Sequence, residues 1–426
     1  MHIDDLYQHF LRYPNIETDS RKIKPGNIFI ALKGEKFNGN EFVQQALNAG
    51  ASFCIADDGG TIEDERIIEV DDSLQTLQML AKKHREQFSI PVIAITGSNG
   101  KTTTKELMHA ALSTTFKTYT TQGNLNNHIG IPLTILRIKK DAEIAIIEMG
   151  ANHLKEIEGY CNYTMPTHGL ITNCGKAHLE GFGGEAGVIK GKTELYLYLS
   201  NHNGTIFINN DYEYLAAYAN NILKQISYGS KGAMYSGEMK DGSTFLEVAV
   251  SSGALIPSIQ TQLVGGYNLP NVLAAVAVAK TFMVTDEKIK LALENYAPSN
   301  SRSQLITIGT NKIIMDAYNA NPSSMRLAIK NFANMQGENK VLIVGSMMEL
   351  GIDSDKEHED IISLITKYKW QAVALTGDGY KKIPEGFQHF KTAAEAAKWF
   401  KKSNFQQAMI LIKGSRSMQM EKVLPS

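Results

Sequence analysis

Ile90-Pro91-Val92-Ile93-Ala94-Ile95-Thr96-Gly97-Ser98-Asn99-Gly100-Lys101-Thr102-Thr103-Thr104-Lys105-Glu106 is the stretch that decides the fold. A β-branched apolar run breaks into a glycine-containing turn, which opens onto residues that can continue as a helix from Glu106 to Phe116. Strand, loop and helix in that order are the context a phosphate-binding loop requires. Glycines let backbone N–H groups turn toward phosphate oxygens, and the start of the next helix adds unpaired N–H groups and the positive end of its dipole. Thr96, Gly97, Ser98, Asn99, Gly100, Lys101, Thr102 and Thr103 are therefore the expected ATP-binding residues. Lys101 supplies a mobile charge for the outer phosphates, and the Thr102 hydroxyl is placed to ligate Mg²⁺. The usual G-x-x-x-x-G-K-[ST] pattern would put glycine at position 95, where the chain has Ile95, so the loop is a shortened T-G-x-x-G-K-T variant.

The chain has 426 residues, too many for one core, and divides into two or three domains. Its 43 basic and 44 acidic residues leave a net charge of −1, which argues for neither a nucleic acid nor a membrane surface as partner. Cys54, Cys161 and Cys174 share no metal-type spacing and cannot all pair, as expected of a reducing cytoplasm. The start, Met1-His2-Ile3-Asp4-Asp5, lacks a basic segment followed by an apolar one, so no signal peptide is expected. No apolar run reaches the roughly 18–20 residues of a membrane helix. A cytoplasmic α/β protein is the expectation.

Residues 1–88 read as a small α/β domain with short apolar runs at Ile28 to Leu32, Ser52 to Ala56 and Ile67 to Val70. A helix from Ser73 to Gln87, with Ser73 as its cap, closes that domain. Asp19-Ser20-Arg21 and Lys33 to Asn40 flank the first strand, where α/β folds bind ligands, although turn chemistry accounts for them equally well. The second domain, residues 89–302, holds the phosphate loop. Within it, Glu143 to Gly150 reads as a buried strand ending in Glu148, the position from which P-loop enzymes hold Mg²⁺. His178 and Lys192 follow, in a loop and on a helix from Glu185 to Leu199; spacing alone assigns them nothing. Tyr235 to Val250 resembles a hairpin turning at Lys240-Asp241-Gly242-Ser243, and Gly265 to Asn271 introduces an Ala/Val-rich helix that must be buried. From residue 303 to 426, strands and helices alternate as in a mostly parallel, Rossmann-like third domain. No G-x-G-x-x-G is present there, so no dinucleotide is implied. Asp316 to Ser324 and Lys413 to Met418 stand at strand ends, and the second could grip an anion.

Thr96 to Glu106, Gly123 to Pro132, Ala177 to Phe182, Asp316 to Ser324 and Lys413 to Met418, in order and across nearly the full length, resemble the motifs of the Mur ligase family of peptidoglycan synthesis. The phosphate loop alone would suit any Mur ligase or a folylpolyglutamate synthase. The Asp316-Ala317-Tyr318-Asn319-Ala320-Asn321-Pro322-Ser323-Ser324-Met325 and Lys413-Gly414-Ser415-Arg416 segments resemble the members that join D-alanyl-D-alanine to UDP-N-acetylmuramoyl-tripeptide. The resemblance implies an N-terminal domain for the UDP-sugar, a central ATPase, and a C-terminal domain that closes over ATP and the incoming amine. It implies two Mg²⁺ ions, one held by Thr102 and Glu148 and the other by His178 and a carbamylated lysine. Lys192, 14 residues after His178, suits the family spacing better than Lys190. Lys101, His178 and Lys192 are thus the implied catalytic residues. Asn268, Asn271, Arg302, Asp316 and Asn319 are implied near the nucleotide, and Ser20 and Arg21 near the uridine. Asn321, Lys413, Ser415 and Arg416 are implied near D-alanyl-D-alanine, and a monomer is expected. Family members commonly have G-R where this chain has Ser301-Arg302, an Asp at Ser346, and an Asp at Asn38. Two rivals stand beside this expectation: another amino acid ligase on the same scaffold, or a P-loop switch protein that hydrolyses ATP without a small-molecule product. His358, beside Glu349-Leu350-Gly351, reads as a solvated helix histidine.

Overall fold

The computed structural model describes residues 2–58, 60, 62–240, 244–299 and 301–424. Among these residues the principal strands fall into three sheets, a mostly parallel α/β architecture in three domains. The first sheet is wholly parallel and runs in the order Ile16–Glu17, Ile28–Ile30, Phe53–Ala56, Ile67–Glu69. A helix the apolar runs did not announce, Ile3–Arg12, covers it with Leu6, Tyr7 and Phe10 inward, the i, i+1, i+4 spacing of one helical face. The helix expected from Ser73 spans Ser73–Arg85, but its cap is Asp72, whose carboxylate accepts the Gln75 N–H, so the cap expectation was one residue late.

The central sheet has nine strands. Thr118–Thr120, Ile144–Glu148, Val92–Thr96, His168–Ile171, Thr205–Asn209, Lys224–Gly229 and Tyr235–Lys240 are parallel, and Phe245–Ser252 and Ile259–Val264 complete it antiparallel. The strands Tyr235–Lys240 and Phe245–Ser252 are the expected hairpin; its tip, residues 241–243, lies outside the described residues. The Ala/Val-rich helix Leu269–Thr281 is buried against the helix Lys101–Leu112, as its near-continuous apolar sequence requires. The third sheet has six strands in the order Gln304–Ile308, Asn311–Asp316, Met409–Lys413, Lys340–Gly345, Ala372–Thr376, Gln388–Phe390, antiparallel only at its first pair. Among the described residues no helix is long and apolar enough to cross a membrane.

The first two domains are seamed by buried polar contacts. Arg85 donates to the carbonyls of Thr164 and Met165 at 3.0 and 3.1 Å, at the C-terminal end of the helix Glu156–Thr164 of the central domain. Its neighbour His84 joins Tyr7 Oη at 3.0 Å to the Ile138 carbonyl at 2.8 Å. One apolar cluster runs continuously from Leu6 and Phe10 through Ile131 and Leu136.

Candidate active site

The phosphate loop is stitched into place before any ligand arrives. The helix begins at Lys101 itself, earlier than the sequence suggested, so the N–H groups of its first turn lie at the loop. Gly97 has φ +141°, and a Cβ there would stand 2.0 Å from Thr172 Oγ. Gly100 has φ +81°, and a Cβ there would meet Asn271 Oδ1 at 2.7 Å. Only glycine serves at either position. Ser98 Oγ donates to the Gly175 carbonyl at 2.9 Å, and Asn173 brackets Asn99 by accepting its N–H at 3.1 Å and donating to its carbonyl at 3.0 Å. Thr96 Oγ donates to the Met149 carbonyl at 2.9 Å. Lys101 curls back onto the carbonyls of Gly97 and Ser98 at 2.7 and 3.4 Å, and burial holds its ammonium below the usual lysine range.

Glu148 is placed by sheet register. It pairs with Ile95 on the neighbouring strand, so its carboxylate leaves the sheet beside the loop. Thr102 Oγ and Asn126 Nδ2 donate to Glu148 Oε1 at 3.1 and 2.8 Å, while Oε2 is buried without a partner. A carboxylate oxygen kept dry and unpaired is costly, and a cation is the partner its chemistry suits. No group of three His, Cys, Asp or Glu among the described residues could itself hold a metal. A hydroxyl, one carboxylate and nucleotide phosphates are donors of the hard-oxygen kind that Mg²⁺ takes in such sites, so the residues present fit that ion.

Lys192 is 1 % exposed, on the helix Glu185–Asn201. Its Nζ donates to the Ala151 carbonyl at 2.8 Å and sits 4.9 Å from the centre of the Phe182 ring. Burial, with Lys101 acting in the same sense, brings its ammonium down to about 7. His178 lies where the central and third domains meet, and its Nδ1 contacts the Glu349 carboxylate. That contact holds the Glu349 carboxyl below the usual range.

The phosphate loop, Glu148 and His178 line a cavity of about 800 Å³ whose far wall comes from the third domain, and Lys192 is not among its lining residues. Lys101, Thr102, Glu148, His178, Asn268, Asn271, Arg302, Asp316, Asn319, Asn321, Lys413, Ser415 and Arg416 all border it. The two walls touch: Asn321 Nδ2 donates to Asn99 Oδ1 at 2.8 Å, and the Lys176 N–H donates to Ser323 Oγ at 2.9 Å. Asn321 also caps the helix Pro322–Asn334 in a reciprocal box with Ser324. Lys413 is buried and turned onto Asp316 Oδ2 at 2.7 Å, whose other oxygen accepts the Ser303 N–H, so this lysine braces the wall. Ser415 Oγ donates to the Ala320 carbonyl at 3.1 Å, and Asn319 Oδ1 accepts from the Arg416 N–H at 3.4 Å. Arg302 and Arg416 both lie over the Tyr318 ring, at 3.4 and 4.7 Å from its centre.

Ser20 and Arg21 are not among the cavity's lining residues. They sit on the N-terminal domain, where Arg21 is paired with Asp19 at 2.8 and 2.9 Å. His358 corrects the sequence reading. It is 1 % exposed, accepts the Met347 N–H at Nε2 over 3.0 Å, and joins the Ser354 carbonyl through Nδ1 at 2.7 Å. Asn126, Tyr318 and Glu349 are site residues that sequence reading did not single out. Asn126 lies in the amide-rich run from Gly123 to Pro132, a signal that was visible but not specific. Ser301 and Ser303, flanking Arg302, have φ +56° and +49°, which explains a glycine as the common family residue at the first.

A Bacillus subtilis protein, "UDP-N-acetylmuramoyl-tripeptide--D-alanyl-D-alanine ligase", is 33% identical over 96% of this chain and 92% of its own. The chain belongs to the Mur ligase family. Three Mur ligase models match in turn: the "Mur ligase family, catalytic domain" over residues 12–85, the "Mur ligase middle domain" over 95–279, and the "Mur ligase, glutamate ligase domain" over 301–416. Among solved Mur ligases, MurF from Acinetobacter baumannii superposes with a TM-score of 0.88 at 30% identity, covering 99% of this chain and 97% of that one. MurF from Thermotoga maritima in complex with ADP gives 0.87 at 26% identity, covering 97% and 96%.

Proposed function

We infer that this Mur ligase is an ATP-dependent amide ligase that joins D-alanyl-D-alanine to UDP-N-acetylmuramoyl-tripeptide in peptidoglycan precursor synthesis. The observation that carries the reading is the shared cavity: the phosphate loop forms one wall, and Asp316, Asn319, Ser415 and Arg416 of the third domain form the other. A P-loop switch needs no second wall of this kind, whereas a ligase must bring an amine against an activated carboxylate. The choice of amine rests on the full-length likeness to the ligase from B. subtilis.

The chemistry follows from the leaving group. A carboxylate does not exchange oxide for an amine, so the terminal carboxylate of the tripeptide attacks the γ-phosphorus of ATP, forming an acyl phosphate and releasing ADP. The amino group of D-alanyl-D-alanine then attacks the acyl carbon, phosphate departs, and the amine proton is lost. Lys101 covers charge on the transferring phosphoryl group. Mg²⁺, when bound, neutralises charge on the phosphate oxygens; Thr102 and Glu148 are the residues to hold one ion, His178 and Lys192 a second. A lysine with a substantial neutral fraction near pH 7 can add CO₂, losing one proton and becoming a carbamate, and buried Lys192, brought down to about 7, has such a fraction.

Residues 1–88, with Ser20 and Arg21, are proposed to hold the UDP-sugar, residues 89–302 the ATP, and residues 303–426 the amine, in a cytoplasmic monomer. The test is phosphate release from Mg²⁺-ATP with the two substrates supplied singly and together. Release that requires both, with a pentapeptide product by mass, is the expected result; turnover without them, or only with another amine, overturns the assignment.

A further inference from the structure

Tyr318 holds two arginines. The guanidinium carbon of Arg302 lies 3.4 Å from the centre of its ring, and that of Arg416 lies 4.7 Å from it. Like charges gathered on one ring repel each other, so the arrangement is costly until an anion joins it. The protein supplies none: among the described residues neither guanidinium has a hydrogen-bond acceptor or a carboxylate partner. Asp316 and Glu349, the third-domain carboxylates that border the cavity, are engaged by Lys413 and His178.

The backbone is built to bring both arginines to the ring. Ser301 and Ser303, on either side of Arg302, lie in the left-handed region, where a residue other than glycine is held only by its surroundings. Those surroundings include the ring's own residue: the Tyr318 N–H donates to the Ser301 carbonyl at 3.2 Å. Asp316 Oδ1 accepts the Ser303 N–H at 3.1 Å, and Ser303 Oγ joins Tyr267 Oη at 2.9 Å. Arg416 arrives from the strand end at Lys413 and donates its N–H to Asn319, the neighbour of Tyr318, at 3.4 Å. Ring and arginines all border the cavity. The Arg302 charge is felt at the phosphate loop, where it adds to burial in lowering the Lys101 ammonium.

A guanidinium carries its five N–H donors in its own plane, so stacking on a ring fixes the group and leaves every donor free. A carboxylate partner would fix it equally well, but would neutralise it and occupy those donors. We propose that Tyr318 is a positioning residue: its ring presents Arg302 and Arg416 as a two-armed clamp for anionic groups of the substrates. Arg302 takes a phosphate of the nucleotide, and Arg416 takes a second anionic oxygen, from the dipeptide carboxylate or from phosphate. The identity of those substrates rests on the ligase reading; the clamp rests on the ring and its two guanidiniums.

The test compares wild type with Tyr318→Phe, Tyr318→Leu, Tyr318→Met and Arg416→Ala. The leucine and methionine variants both remove the aromatic face while filling its space, so one carries the test if the other does not fold. Calorimetry with a non-hydrolysable Mg²⁺-ATP analogue reads nucleotide affinity. The ratio of kcat/KM for D-alanyl-D-alanine to that for D-alanyl-D-alaninamide, which lacks the terminal carboxylate, reads carboxylate recognition. Tyr318→Leu and Tyr318→Met are expected to weaken the analogue and to lower kcat/KM for the dipeptide by about 2–30-fold each, the range a cation–π contact spans. Tyr318→Phe, which keeps the ring, is expected to restore both. If Arg416→Ala erases a wild-type preference for acid over amide, the anion at Arg416 is the dipeptide carboxylate; if it weakens the analogue instead, the anion is phosphate, and either result supports the clamp. Wild-type values in the variants without a ring, equal losses in Tyr318→Phe, or an Arg416→Ala that moves neither readout overturn it. If wild type forms no amide, the ligase reading falls while the analogue titration of the Tyr318 variants still decides the clamp.

Discussion

Thr102 Oγ lies 3.1 Å from Glu148 Oε1, joining the first turn of the phosphate-loop helix to the end of a strand 46 positions later. The other Glu148 oxygen is buried and unpaired. Glu148→Gln replaces a dry charge with a neutral amide. Ligand-free protein is expected to gain up to about 1 kcal/mol, a fraction of the cost of an unsatisfied buried group. The rise in melting temperature on adding Mg²⁺-ATP is expected to shrink or vanish. Thermal melts with and without nucleotide check both halves.

Lys101→Ala removes the charge that the proposed mechanism sets against the transferring phosphoryl. The loss of turnover is expected to be on the order of 10²–10³-fold. Because the ammonium is buried against carbonyls and already held below the usual range, the fold is expected to survive intact. Steady-state rates and circular dichroism separate the two effects, and near-normal turnover would remove Lys101 from the chemistry.

Lys192 makes stability depend on pH in CO₂-free protein. Burial lowers its ammonium to about 7, whereas an unfolded lysine titrates near about 10.4. Between those values the unfolded chain carries a proton the folded chain has lost, so stability rises with pH across the window. Below pH 7 both states carry it and the cost of burial is complete. Lys192→Met is expected to be more stable than wild type at pH 6, with the gap closing as pH approaches about 10. Urea melts at several pH values measure this, and ¹³CO₂ labelling followed by NMR tests for the carbamate on wild type.

His358 behaves in the same sense over a lower pH window. Burial lowers its pKa below the usual histidine value, and its neutral ring accepts the Met347 N–H. As pH falls below about 6.5 the unfolded chain gains a proton that the folded chain resists, so this contribution to stability is present above that pH and lost on acidification. His358→Ala is expected to cost about 1–3 kcal/mol at pH 7.5, and the difference from wild type to narrow by pH 5 in denaturant titrations.

What could be read from the sequence was local. The strand Val92–Thr96, its loop, and a carboxylate closing the strand Ile144–Glu148 each carry their chemistry within a few neighbouring residues, so pattern and propensity sufficed. His358 was misread because its place on an acidic stretch of helix gives no sign of the Met347 N–H that reaches it from 11 residues away. The Glu349 contact with His178 joins loops about 170 residues apart by domain packing. The burial of Lys192 comes from the fold, since a lysine on a helix gives the same pattern whether solvated or enclosed. The cap of the helix Ser73–Arg85 shows the smallest kind of error, two adjacent capable residues of which geometry chose Asp72.

Ser301 supplies a prediction that sequence comparison alone would not have explained. Its φ of +56° costs a residue other than glycine roughly 1–2 kcal/mol, and part of that gain is returned through the freer unfolded chain when glycine is introduced. Ser301→Gly is expected to stabilise the protein by about 0.5–1 kcal/mol, read as a higher melting temperature; a lower one would mean the hydroxyl has a role of its own.

The seam at Arg85 gives the molecule a ruler. With the N-terminal and central domains bonded through the carbonyls of Thr164 and Met165, the span from the first sheet to Lys101 is set by the fold. Under the proposed function, a substrate anchored by its nucleotide on the first domain and reacting at Lys101 must match that span. On that reading the first two domains alone select chain length, and a peptide one residue short would present its carboxylate to water instead of to phosphate.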